Sequence, residues 1–309
     1  MPSADAGATH PSVYRFDAIG APWRIDTPEP LGADVAAEVA ARIDLFDRAY
    51  SRFRADSLVS RINQQPGRYV FPADAPPLFD LYRRLYDATG GAVSPLVGAR
   101  LDNLGYDRTY SLTPSATAVR VPSWDNAIAW DGEALTTARP VLLDVGAAGK
   151  GYLVDLVAGI LADAGITEYV VDASGDLVHR GTTTLRVALE HPRDPTRAIG
   201  VVTLSNAALC ASASNRRAWG AGLHHVLDAI TGEPTSRVIA TWAIVPGATH
   251  LPTMTADGLA TGLFFRSTDE LGASFGAGAD GTTADFQAVR MLSDGTVDHS
   301  SNFSGELFL

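Results

Sequence analysis

The chain has 309 residues, an ordinary hydrophobic share of 46 % and a formal net charge of −11. Its length suits one large domain or two small ones with a sizeable core, and the acidic balance argues against a general phosphate-backbone binder or a basic membrane-surface patch, so no nucleic-acid partner is expected. Cys210 is the only cysteine, which excludes an intrachain disulfide framework and a thiolate metal cluster; it reads as a small buried hydrophobe.

The opening MPSADAGATHPS has no basic n-region and no apolar h-region, and no window approaches the length of a bilayer span. Residues 1–12 are therefore expected to be a disordered lead-in to a domain over residues 13–309 of a soluble, cytoplasmic protein. From Val13 to Ile25 the pattern suggests a strand interrupted at Gly20-Ala21-Pro22, either a hairpin or a bulge near a ligand. Apolar spacing at Val35, Val39, Ile43 and Phe46 predicts an amphipathic helix from Asp34 to Tyr50, with Glu38, Arg42 and Asp47 opposite. Asp56 or Ser57 is placed to cap a short helix carrying Leu58, Val59 and Ile62. Pro76 to Thr89 reads as a third helix, facing inward with Leu78, Leu81, Tyr82 and Leu85 and ended by Gly90-Gly91. TGGAVSPLVGARLDNLGYD, broken by Ser94-Pro95 and Gly98, is expected to be a loop-rich connection that lines a pocket. Short β pieces between Thr113 and Pro140, including Ala127 to Trp130, should pair as a hairpin.

Leu142 to Val178 is the most ordered pattern in the chain. An apolar run closed by Asp144 reads as a strand, then Gly146, Gly149 and Gly151 surround Lys150, and an apolar helical segment runs from Tyr152 to Ala164 before Gly165. Two readings stay open for the turn: a structural connection, or an anion site in which the helix-start amides and Lys150 receive a phosphate or pyrophosphate. It is neither a Walker loop, which would need glycine at Asp144 and serine or threonine at Gly151, nor a GxGxxG turn.

Farther on, Leu185 to Leu189 and Ile199 to Leu204 are expected to be neighbouring strands joined by a polar loop from His191 to Arg197. Arg216 and Arg217 read as solvated charges, and His224-His225 as a strand pair facing opposite ways. Ile239 to Val245 is a predicted strand and Thr255 to Phe265 a predicted helix. That helix sets Asp257 and Thr261 four residues apart on one face, which offers hard oxygen ligands for Mg²⁺, or else an acid favoured by the helix dipole and a threonine bonded to its own helix. A strand from Ala288 to Leu292 turns at Asp294-Gly295. The stretch Asp280-Gly281-Thr282-Thr283-Ala284 reads as a tight Asp-Gly turn in preference to a self-acceptor site. Neither an internal repeat nor a low-complexity linker is present, which suits one continuous catalytic unit with two lobes.

In order and spacing these pieces resemble the ApbE family of FAD:protein FMN transferases, from about Tyr14 to Phe303. The matching residues are Gly20, YSRF at Tyr50 to Phe53 followed by SLVSRIN, TGGAVSP, DVGAAGKGYLVD, VDASGDL, NRR, HHVLDAITG and ADGLAT. The resemblance implies an α+β fold of two lobes, mixed sheet and helix, that holds FAD in a cleft with Mg²⁺ at the pyrophosphate. It implies transfer of FMN from FAD to a threonine or serine hydroxyl of an acceptor flavoprotein, with release of AMP. On this basis Asp257 and Thr261 fall on the metal-binding side chains, and Gly149 falls where a backbone carbonyl completes the metal site. Gly20, Asp144, Gly146, Lys150, Gly151 and Asp176 fall in the flavin and phosphate region, Asp155 on a further recurrent acid. His225 falls on the proposed base, also within reach of the cofactor, and Asp257 is the second catalytic position.

The chemistry asks for the same groups: a dication to neutralise phosphate oxygens, and an imidazole near its unperturbed pKa to take the hydroxyl proton. The chain departs from the family pattern in having Ile19-Gly20-Ala21 for Met-Gly-Thr, Ser94 for aspartate, Ala211-Ser212-Ala213 for Thr-Ser-Gly, and Ala229-Ile230 for Pro-Arg. These changes bear on FAD affinity and acceptor choice more than on the metal. An FAD pyrophosphatase yielding FMN and AMP, or an FAD-binding protein without turnover, are the alternatives.

Overall fold

Period-two alternation at the start of the chain is realised as a hairpin. β1 (Ser12–Ala18) and β2 (Ala21–Thr27) pair antiparallel from Ser12↔Thr27 to Ala18↔Ala21, so the interruption is a two-residue turn and not a bulge. Ile19 and Gly20 make that turn with φ of 45° and 74°, the doubly left-handed geometry a tight hairpin requires. Glycine adopts it freely; a β-branched isoleucine is strained there. The structure, a computed structural model, describes residues 11–275 and 285–308, so the lead-in up to residue 10 and the Asp280 to Ala284 stretch lie outside the described residues.

Helix α1 (Ala33–Tyr50) buries Val39, Phe46, Ala49 and Tyr50. Ser57, not Asp56, caps α2 (Leu58–Gln64), its Oγ accepting from the Ser60 amide at 3.1 Å. After β3 (Gly67–Val70), α3 (Pro76–Ala88) buries Leu78, Phe79, Leu81, Tyr82 and Leu85. The segment expected to be loop-rich contains a 3₁₀ turn at Pro95–Val97, capped by Ser94, and α4 (Gly98–Asn103). Next, α5 (Trp124–Ala127) leads into the predicted hairpin, β4 (Ile128–Trp130) with β5 (Ala134–Thr137); β3 pairs on the far side of β5.

Leu142 to Asp144 is not a strand. Val141, Leu142 and Leu143 are buried, but the segment has no sheet partner, and the Asp144 amide bonds instead to the Pro95 carbonyl at 2.7 Å. A short apolar run specifies burial without specifying pairing. Helix α6 (Gly149–Asp163) begins three residues before the expected start, and β6 (Tyr169–Asp172) and β7 (Asp176–Arg180) follow as a hairpin. The polar loop expected between His191 and Arg197 belongs to the strands: β8 (Leu185–His191) and β9 (Asp194–Leu204) pair as far as His191↔Asp194, leaving only Pro192-Arg193 to turn.

Beyond β10 (Ala207–Ala213), short strands β11 (Ala218–Trp219), β12 (Leu223–His224), β13 (Leu227–Asp228) and β14 (Glu233–Pro234) pair two by two. The remaining elements are β15 (Val238–Pro246), α7 (Pro252–Gly262), α8 (Thr268–Phe275), β16 (Gln287–Leu292), β17 (Val297–His299) and β18 (Glu306–Leu307).

Eight strands form one antiparallel sheet in the order β1-β2-β6-β7-β10-β15-β16-β17, and β18-β9-β8 form a smaller one. Alternation sorts the large sheet's two faces. Ala208, Cys210, Ala243 and Val245 pack in the core that includes α6 and α7, while Leu209, Trp242 and Ile244 pack against Leu189, Val202 and Leu204 of the smaller sheet. Each fully buried leucine or isoleucine contributes about 1.5–3 kcal/mol. The consequence for the site is placement: the start of α6, the body of α7 and the ends of β7 and β10 converge on one side of the sheet.

Candidate functional site

The site is built where α6 meets α7. A side chain at Gly151 would place its Cβ 2.3 Å from the Thr253 carbonyl oxygen and 2.7 Å from the Asp257 Cβ. Only glycine lets these helices approach so closely, and the closeness lets the Gly151 amide donate to Asp257 Oδ2 at 2.9 Å. Helix α7 has no side-chain cap of its own, since Leu251 precedes it with φ of 50°. Asp155, one turn along α6, supplies it instead, Oδ1 and Oδ2 accepting from the amides of Thr253 and Met254 at 3.1 and 2.8 Å. Burial drives the Asp155 carboxyl up to about 6, against those two hydrogen bonds.

Around this joint the chain buries several charges. Asp176 is 1 % and Asp257 4 % exposed. Lys150 Nζ donates to the Ala173 carbonyl at 2.9 Å and lies 2.8 Å from Asp176 Oδ2. That contact is at ion-pair distance but off a hydrogen-bond direction, and both Asp176 oxygens lack an aligned donor. Burial works against the Lys150 charge, but Asp176 and Asp257 outweigh it and push its pKa up. Asp257 is shifted far above the carboxylate range, first by burial and then by repulsion from Asp176, with Lys150 opposing. Cys210 sits in the same cluster as a thiol that burial holds protonated, donating to the Thr253 carbonyl at 3.4 Å.

The glycine turn before α6 is tied from several sides. Asp144 Oδ1 accepts from the Gly146 amide at 2.7 Å and Oδ2 from Arg52 Nε at 2.6 Å. Burial alone would raise the Asp144 pKa; the Arg52 guanidinium holds it below the usual range. The Ala147 amide donates to the Tyr82 hydroxyl at 3.1 Å, and its carbonyl accepts from Thr261 Oγ1 at 3.3 Å. The amides of Gly149, Gly151 and Tyr152 are spent on Val145 O, Asp257 and Ala148 O. An anion therefore meets few free amides at this helix start, and Lys150, expected to face a phosphate, faces Asp176.

His224 and His225 do point apart. The His224 ring is buried, Nε2 donating to the Thr235 carbonyl at 2.7 Å and Nδ1 accepting from Val226 N at 3.3 Å. His225 Nδ1 is buried with no partner. Its pKa does not stay near the ordinary value: burial, then the positive charge of Arg217, then His224, push it down to about 3. The residue as a whole keeps partial exposure.

Gly20 stands apart from the acid cluster. A Cβ there would lie 4.0 Å from the Tyr110 hydroxyl, and Tyr110 stacks on Phe53, centroids 5.3 Å apart. The Phe53 ring also carries the Arg52 guanidinium, 4.2 Å from its centroid. The structure thus gathers Lys150, Gly151, Asp176 and Asp257 in one cluster, Gly149 and Thr261 beside it, and Asp144 and Gly146 at its mouth. Gly20 reaches them through the aromatic chain and through its hairpin, where the Pro22 carbonyl accepts from Ser174 Oγ at 2.7 Å.

Arg52 and Arg217 were not legible as site residues. Arg52 is almost wholly buried between Asp144 and Asp102, and its only sequence signal is its place in the YSRF segment. Arg216 is a surface charge paired with Glu190, as expected, but Arg217 turns inward and donates to the Tyr106 hydroxyl at 2.9 Å.

Hard oxygen atoms suited to a dication are present: the Asp257 carboxylate, the Thr261 hydroxyl and the carbonyls of the 147–149 turn. Burial and Asp176 favour the protonated Asp257 carboxyl, so a cation there would take the place of its proton. No cluster of three or more His, Cys, Asp or Glu side chains is arranged to hold a metal among the described residues, so Asp257 would act with neutral oxygens. Of the carbonyls, Ala147's is the one seen against Thr261.

A family model described as the ApbE family matches residues 19–285. The FAD:protein FMN transferase of Klebsiella pneumoniae (strain 342) is 28 % identical over 272 residues, 79 % of this chain and 75 % of that protein. That of Escherichia coli (strain K12) is 25 % identical over 291 residues, 84 % and 80 % of the two chains. Among solved structures, the Vibrio cholerae flavin transferase ApbE aligns with a TM-score of 0.73 at 23 % identity, covering 95 % of this chain and 98 % of its own. The ApbE protein of Thermotoga maritima aligns at 0.75 and 22 % identity, with the same coverages. Within the described residues no helix is long and apolar enough to cross a membrane.

Proposed function

We propose, since this chain belongs to the ApbE family, that it is a transferase that moves the FMN half of FAD onto a threonine or serine hydroxyl of an acceptor flavoprotein, with Mg²⁺ as cofactor and AMP as leaving group. The observation that carries this reading is the cluster of Asp257, Asp176 and Lys150: a carboxyl shut from water beside a second one already held by an ammonium. A buried carboxyl whose proton a metal can replace suits a dication better than it suits a bare phosphate. Asp257, Thr261 and a carbonyl of the turn at Ala147 or Gly149 would hold Mg²⁺, which when bound supplies charge stabilisation to the diphosphate oxygens and the departing AMP.

The chain's own residues divide the remaining work. Gly151 fixes the Asp257 carboxylate through its amide, and Asp155 fixes α7 on which Asp257 and Thr261 ride. Lys150, held by Ala173 and Asp176, acts on the pocket through its charge. In the transfer the acceptor oxygen bonds to the FMN phosphorus, the phosphorus–oxygen bond to AMP breaks, and the hydroxyl proton passes to His225. Its depressed pKa keeps His225 neutral, the form that accepts a proton, and arriving phosphate charge strengthens it as a base.

Incubation with FAD, Mg²⁺ and an acceptor carrying a flavinylation site tests the reading. Intact-mass spectrometry should show the acceptor heavier by one FMN, with AMP formed in step. AMP and free FMN without an adduct would make the protein an FAD pyrophosphatase, and FAD bound but left whole would make it a binding protein; either result overturns transfer.

A further inference from the structure

We propose that Arg217 is the cation that binds the FAD diphosphate in this pocket, a role that rests on the flavin-transferase reading. The cations one would first assign to it are committed elsewhere: Arg52 is held by Asp144 and Asp102 at 2.6 Å each, and Lys150 by Asp176 at 2.8 Å. Arg217 has no carboxylate at ion-pair distance among the described residues, and its one side-chain hydrogen bond runs from Nη1 to the neutral Tyr106 hydroxyl, 2.9 Å away.

That bond sets the guanidinium on a rigid base. Tyr106 stacks on Trp219 with centroids 5.5 Å apart and planes 23° apart, and Trp219 Nε1 donates to the Leu104 carbonyl at 2.9 Å. The Tyr106 carbonyl in turn accepts from Arg52 at 2.7 Å. A guanidinium anchored at one nitrogen keeps its other donors for a planar, bidentate partner, which a phosphate provides. Its charge reaches the same pocket, lowering the proton affinity of Asp144, Asp257 and His225 alike. Beside it His225 Nδ1 is buried with no partner, a polar atom that a polar ligand could satisfy.

The test compares Arg217→Gln, which keeps a donor for Tyr106 but no charge, with Arg217→Lys, which keeps the charge. FAD and riboflavin affinities are read by flavin-fluorescence titration of the flavin-free protein. Arg217→Gln should weaken FAD binding about 10- to 100-fold, leave riboflavin within about twofold, and Arg217→Lys should recover most of the FAD affinity. The inference is overturned if Arg217→Gln binds FAD as the wild type does, if it loses riboflavin to the same extent, or if lysine fares no better than glutamine. A wild type that binds FAD in this charge-dependent way yet modifies no acceptor would sink the transferase reading and leave Arg217 in place; one that binds no FAD would end both.

Discussion

Replacing Gly151 with alanine should separate α6 from α7 and take the site apart with them. The added Cβ would fall 2.3 Å from a backbone carbonyl oxygen, Thr253 O, where ordinary contact begins near 3.4 Å. No side-chain rotation relieves a clash with backbone, so the helices must part by about 1 Å. Overpacking of that kind costs about 1–3 kcal/mol. The same shift stretches the Gly151 to Asp257 hydrogen bond from 2.9 Å beyond useful length, and leaving those buried groups unsatisfied adds about 1–3 kcal/mol. Gly159, on the same helix, has nothing within 4 Å of its would-be Cβ, so Gly159→Ala should stabilise by about 0.5–1 kcal/mol. Urea unfolding followed by circular dichroism distinguishes the pair: Gly151→Ala should fall by about 3–5 kcal/mol while Gly159→Ala gains. A Gly151→Ala protein within about 1 kcal/mol of the wild type would show that the helices are not in backbone contact, and the account of Asp257 would fall with it.

Asp257→Asn should raise the stability of the metal-free protein at neutral pH, because a carboxyl whose pKa is raised by burial and by Asp176 must hold a proton that the unfolded chain releases. The same variant should lose the stabilisation that Mg²⁺ gives the wild type, checked by melting temperature with and without the ion. Asp155 sets a pH dependence of the same sign. Its contribution is full below the unfolded value near 3.8 and lost as pH rises through about 6, a change of about 3 kcal/mol; Asp155→Asn should flatten the wild type's stability profile between pH 4 and 6, and an unchanged slope would refute the assignment. His225→Gln should cut transfer about 10²- to 10⁴-fold with FAD affinity preserved; a matching loss of affinity in a titration would recast His225 as a binding residue.

Local pattern carried much of the fold. The α1, α3 and α7 periodicities and the β1–β2 and β4–β5 hairpins were readable because each depends on neighbours a few residues apart. Leu142 to Asp144 misled because three buried apolar residues look alike in a strand and in an irregular crossing. At the site, Asp257 and Thr261 were legible as a pair on one helix face. The partners that give them meaning were not, since Gly151 and Asp257 are 106 residues apart in sequence and Asp155 caps a helix 98 residues downstream. Arg217 was lost for a different reason: beside Arg216 it has the look of a solvated pair, and only the Tyr106 and Trp219 stack turns one of the two inward.

Flavinylation of an acceptor protein, read by intact mass with FAD and Mg²⁺ present, tests the central claim most directly. The account predicts one added FMN per acceptor for the wild type, none once the metal is chelated, and none for Asp257→Asn even though that variant is at least as stable. An acceptor modified equally well by Asp257→Asn, or without any divalent cation, would contradict it.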